Sequence, residues 1–117
     1  MRLVYITAAA LCAALLGCTP RPLEELNAQH PGPNEVLIYD YKYFPPTLTV
    51  PVGTMVTWKN KDIAPHTVTH RSYSAEEAFD SESMGHLAVF THRFQTAGSY
   101  AYLCVFHQGM QGTVVVQ

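Results

Sequence analysis

The sequence predicts an all-β protein, a sandwich of about seven to eight short strands, and three observations carry that prediction. Apolar and polar residues alternate with a period of two in several short runs. Glycines, prolines and small polar residues separate those runs at intervals of about 8–12 positions. Beyond residue 34 no stretch sustains the period of a helix.

In chain order, residues 36–44 are rich in Val, Ile, Tyr and Phe and read as one strand, with Tyr39, Tyr41 and Tyr43 on a common face. Pro45 and Pro46 interrupt it, and residues 47–50 resume. Pro51-Val52-Gly53-Thr54 has glycine at the third position, where a type II turn requires positive φ. Residues 55–58 alternate with Val56 and Trp58 on one face, 59–64 form a polar loop, and 66–70 alternate again. Residues 76–85 lack a clear period and read as a short helix or an irregular loop. Residues 90–94 alternate, Gly98 marks a turn, and Tyr100, Tyr102 and Cys104 share a strand face. Gly112 opens a last strand over 113–117.

The chain of 117 residues divides into three parts. Residues 1–17 read as a signal peptide: Arg2 precedes an apolar run of about 14 residues, short of the roughly 20 that a spanning helix needs. Gly17-Cys18 resembles the lipobox of bacterial lipoproteins, in which the cysteine thiol is acylated, so a lipid on Cys18 would hold the protein to a membrane outside the cytoplasm, in the periplasm or its equivalent. Residues 18–34 carry Pro20, Pro22, Pro31 and Pro33 and read as a tether. Residues 35–117 form one domain. The formal charge of −2 without a basic run excludes nucleic acid as a natural partner.

Cysteine usage then points to chemistry. With Cys12 removed in the leader and Cys18 lipidated, Cys104 is alone, and an exported lone thiol has no disulfide partner. It stands in Cys104-Val105-Phe106-His107-Gln108-Gly109-Met110, a Cys-x2-His-x2-Met loop that leaves a strand and ends before Gly112. His66, after the polar loop, is placed to supply a second imidazole. One thiolate, two imidazoles and a weak thioether make up the general blue-copper donor set, whereas structural zinc takes four good donors.

These stretches carry a family resemblance. Val52-Gly53-Thr54-Met55-Val56-Thr57-Trp58-Lys59-Asn60-Lys61-Asp62 with Pro65-His66-Thr67-Val68-Thr69, and Gly98-Ser99-Tyr100-Ala101-Tyr102-Leu103-Cys104 with His107, Met110, Gly112 and Val114, resemble the cupredoxins of the plastocyanin, pseudoazurin and amicyanin group. The resemblance implies a Greek-key sandwich and one type 1 copper, cycling between Cu(I) and Cu(II), on His66, Cys104, His107 and Met110. It makes His107 the near-surface electron port, and Asn60 and Thr67 the residues that tie the ligand loops together by hydrogen bonds. The ligand loop has amicyanin's short spacing. Phe106 stands where the family commonly has proline, and Leu103 where plastocyanin has a tyrosine before its ligand cysteine.

The implied function is one-electron transfer by a monomer, with redox protein donors and acceptors docking near His107 and no enzymatic reaction. Copper sequestration or delivery without a redox relay is the alternative. An oxidase is disfavoured because Leu103 and Val105, not histidines, flank Cys104, and a binuclear centre because the loop holds one cysteine. Met84, His86 and His92 are donors from which a second copper site could be built, though scattered surface positions explain them as well. His70 reads as a surface or core-edge residue. Glu76, Glu77, Asp80 and Glu82 form an acidic stretch able to steer a basic partner, or simply a solvated run.

Overall fold

The computed structural model describes residues 30–72 and 76–117, so the leader, Cys18 and the tether as far as residue 29 lie outside the described residues. Eight strands form two four-stranded sheets, and no helix is present among the described residues. In chain order they are β1 (Glu35–Tyr39), β2 (Lys42–Phe44), β3 (Thr47–Val50), β4 (Met55–Asn60), β5 (Thr69–His70), β6 (Val89–Arg93), β7 (Gly98–Leu103) and β8 (Gln111–Val116). One sheet has the order β2-β1-β4-β6 and the other β3-β8-β7-β5. β1 runs parallel to β4, and β3 runs parallel to β8. Both parallel pairs require the chain to cross between sheets, which closes the sandwich.

Alternation explains the core. β4 and β8 each bury every second residue, so Val56 and Trp58 from one sheet meet Val114 and Val116 from the other. Trp58 is fully buried, with Phe90 at 5.6 Å, Tyr102 at 5.5 Å and Phe79 at 5.9 Å between ring centroids. Gly112 is there for space: a Cβ on it would stand 2.5 Å from the Tyr102 hydroxyl. The turn after β3 forms as expected, with Gly53 at φ 90° and Thr54 N–H donating to Pro51 O.

The run 36–44 departs from expectation. It is two antiparallel strands with Tyr39 opposite Lys42, joined by Asp40 and Tyr41 at φ 51° and 59°. Positive φ at both central residues defines a type I′ hairpin turn. The reversal breaks the alternation: Tyr43 is buried while Tyr39 and Tyr41 are half exposed, so the three tyrosines do not share a face. Residues 76–85 form no helix; isolated bridges pair Asp80 with Thr69 and Met84 with His66. This irregular segment lies over the site end of the sandwich because its backbone is bonded to residues 66–70, which run from the first candidate ligand into β5.

Candidate metal centre

Two loops bring the candidate donors together. His66 leaves the loop after β4, where His66 N–H donates to Met84 O and Met84 N–H donates to His66 O. Cys104 follows directly on β7 and starts a turn closed by Cys104 N–H to Met110 O (3.0 Å) and Met110 N–H to His107 O (3.2 Å). Gly109, at φ 84°, allows that tight closure. Thr67 joins the loops: its N–H donates to the Cys104 Sγ at 3.4 Å, and its hydroxyl oxygen accepts the Val105 N–H at 2.9 Å.

The donor atoms of His66, Cys104 and His107 all lie within 4.8 Å of one another, the one such group of His, Cys, Asp and Glu among the described residues. The two Nδ1 atoms are 3.1 Å apart, and Cys104 Sγ is 3.8 Å from that of His66 and 3.4 Å from that of His107. The centre of such a triangle lies about 2 Å from each corner, the length of an imidazole bond to a first-row divalent ion. The donor chemistry suits a soft or borderline metal. Met110 is 5% exposed and shares the core cluster with Cys104. The structure thus gathers three expected donors at one point and buries the fourth on the same loop.

Hydrogen bonds preset the first imidazole. Asp62 Oδ2 stands 2.8 Å from His66 Nε2, so the ring proton sits there and the Nδ1 lone pair faces the cluster. Partial burial pushes the Asp62 carboxyl upward, but N–H bonds from Tyr41 and Asp40 and the His66 ring outweigh this and hold it below the ordinary carboxylate range. Asn60, fully buried, donates to the carbonyls of Ala64, Met84 and Gly85 and accepts the Asp62 N–H. Thr67 therefore ties the two ligand loops together as the resemblance implies, whereas the bonds of Asn60 hold the His66 loop to residues 84 and 85 and do not reach the Cys104 loop.

Sequence reasoning missed Asp62 and Tyr41. The ring of Tyr41 stands perpendicular to both imidazoles, with centroids 5.1 Å from His66 and 4.7 Å from His107. The spacing of Asp62, four residues before His66, was the available signal for the first; the hairpin that delivers Tyr41 had none beyond an aspartate at a turn. Met84, His86 and His92 do not meet. Met84 is buried in the core, His86 Nδ1 lies 3.0 Å from Asp62 O, and His92 packs on Phe79 and Phe94. In the acidic stretch, Glu77 accepts bonds from Tyr100 and Gln95, and Asp80 from Thr69 and Glu82, so half of it serves the fold.

Known proteins resemble this chain in sequence and fold. Amicyanin of Paracoccus versutus is 36% identical over 77 residues, which is 65% of this chain and 58% of that relative, so the match spans less than two thirds of its length. A solved Cu(I) form of an amicyanin variant is 36% identical, covers 71% of this chain and 80% of the amicyanin, and superposes with a TM-score of 0.66. The Cu-containing nitrite reductase of Thermus scotoductus SA-01 is 27% identical with a TM-score of 0.67, over 75% of this chain but 23% of the reductase. The cupredoxin-like domain family matches residues 6–116, and the chain belongs to that family.

Proposed function

We propose that the protein is a one-electron carrier of the cell envelope with a single copper ion held by His66, Cys104, His107 and Met110. One observation carries this reading: a cysteine sulfur and two imidazole Nδ1 atoms converge within 4.8 Å on loops tied to each other by Thr67. Copper, when bound, supplies the Cu(I)/Cu(II) couple. The protein's share is to hold the donors still. Asp62 fixes the tautomer of His66, and the Thr67 N–H stabilises negative charge on Cys104 Sγ. Burial of His66, Cys104 and Met110 keeps water out, and ligands fixed by two sheets rearrange little when the charge changes.

His107 is the least buried of the four and the natural route for the electron. Val105, Phe106 and Tyr41, each about half exposed, give its surroundings an apolar character suited to brief docking of redox protein donors and acceptors. The protein acts as a monomer, and a lipid on Cys18 with the tether to residue 34 would keep the domain beside an extracytoplasmic membrane. Preset donors favour electron cycling over copper delivery, since a carrier must retain its ion.

The Cu(II)-loaded protein should show an intense visible absorption from charge transfer between Cys104 and the metal. Cys104→Ser should abolish it entirely. A colourless Cu(II) form of the unaltered protein would sink this reading, and rapid surrender of copper to an acceptor would favour delivery.

A further inference from the structure

The two candidate imidazole ligands are oriented by different means. His66 is fully buried and its Nε2 is bonded to Asp62. His107 is only partly buried on the short ligand loop, and its ring contacts are His66 at 4.7 Å, Tyr41 at 4.7 Å and, more remotely, Phe106 at 6.5 Å. Tyr41 is the contact that does not belong to the ligand loops.

Its placement is a built feature. A tyrosine at positive φ is uncommon, and here two consecutive non-glycine residues, Asp40 and Tyr41, adopt that conformation. The Asp62 carboxylate holds them there, accepting the Asp40 N–H at 2.8 Å and the Tyr41 N–H at 3.0 Å. The Oδ2 that takes the Tyr41 bond is also the atom that meets His66 Nε2. One carboxylate therefore sets the hairpin tip and the first imidazole in a single register. From that tip the Tyr41 ring reaches both imidazoles at interplanar angles of 89° and 90°, and it walls a cleft opposite Gly109 and Met110. Half of Tyr41 remains exposed, so core burial does not account for this position.

We propose that Tyr41 is a positioning residue for the metal centre: the β1–β2 hairpin tip, latched by Asp62, presses its ring on His107 and keeps that imidazole beside His66. The inference rests on the reading of these side chains as copper ligands. Because the contact uses the ring and not the hydroxyl, Tyr41→Phe should preserve the effect and Tyr41→Ala should remove it. Tyr39, half exposed on the same hairpin, makes no ring contact with either histidine among the described residues and serves as the control.

The test uses the full-length protein in two states. In the metal-free state, proton NMR should show a nuclear Overhauser contact between the rings of His66 and His107 in the unaltered protein, Tyr41→Phe and Tyr39→Ala, and its loss in Tyr41→Ala. In the Cu(I) state, the chelator bathocuproine disulfonate should strip copper about tenfold faster from Tyr41→Ala than from the others, a change of the size seen when outer partners of metal ligands are lost. Tyr41→Gly suits the left-handed backbone and should repeat the alanine result if the turn itself is intact. Unchanged ring contact and unchanged release in Tyr41→Ala and Tyr41→Gly would overturn the proposal. Failure of the unaltered protein to bind copper would instead remove the metal-site reading, while the metal-free NMR would still decide what Tyr41 does.

Discussion

The histidines at positions 66 and 107 and those at positions 70 and 92 make two pairs of one residue type in opposite circumstances. In the first pair both Nδ1 atoms point at a common centre beside a thiol, and the His66 Nε2 has a carboxylate. In the second, buried His70 stacks on Phe79 at 5.0 Å, and His92 packs between Phe79 at 4.9 Å and Phe94 at 4.7 Å. His70 Nδ1 and His92 Nε2 are buried without a hydrogen-bond partner among the described residues. Convergence and satisfied partners, and not the imidazole itself, distinguish a ligand from a ring that fills space. The polar frame at the metal end should therefore be costly to disturb, and the second pair should be replaceable by apolar side chains.

Asn60→Ala attacks that frame most directly. It leaves the carbonyls of Ala64, Met84 and Gly85 and the Asp62 N–H without their side-chain partner. A loss of about 3 kcal/mol is expected, read from the urea midpoint of the metal-free protein. A loss below about 1 kcal/mol would mean that the loops at this end hold themselves. Thr67→Val is milder: it keeps the backbone bond to Cys104 Sγ but orphans the Val105 N–H. About 1–2 kcal/mol should be lost, measured in the same way.

How much of this was legible in the sequence follows from how local each feature is. Alternation in β4 and β7, Gly53 in its turn and the spacing of Cys104, His107 and Met110 are set by near neighbours, so sandwich and ligand loop could be read directly. His66 needed a partner from far along the chain, and the family pattern supplied it. The Asp40–Tyr41 turn is held by a carboxylate more than 20 residues away, so a continuous strand was the natural reading of 36–44. His70, His92 and Met84 are polar or flexible residues that composition assigns to the surface. The two rings pack on Phe79, and Phe79 and Met84 both lie in the irregular segment, which has no periodicity to place it.

The second pair gives the smallest and most selective prediction. Burial pulls the His92 imidazole below its ordinary value, the neighbouring His70 lowers it further, and the negative charge of Glu77 opposes them. Tyr100 also faces this cluster, through its ring at 5.7 Å from His70 and its hydroxyl on Glu77. A base depressed in the folded state is protonated first in the unfolded chain. Its contribution is therefore complete above about pH 6.5 and declines as pH falls toward the lowered folded value. Slight desolvation raises the Glu77 carboxyl, but its bonds from Tyr100, Gln95 and Thr96 lower it more, so it stays ionised across that window. His92→Leu should thus change stability little at pH 7.5, by within about 1 kcal/mol, since the replacement removes a buried nitrogen without a partner. Between pH 7 and pH 5 the unaltered protein should lose stability relative to the variant, which has no imidazole there to charge. Parallel stability curves over that interval would show that His92 is already solvated in the fold, and the contrast between the two pairs of histidines would then lose its physical basis.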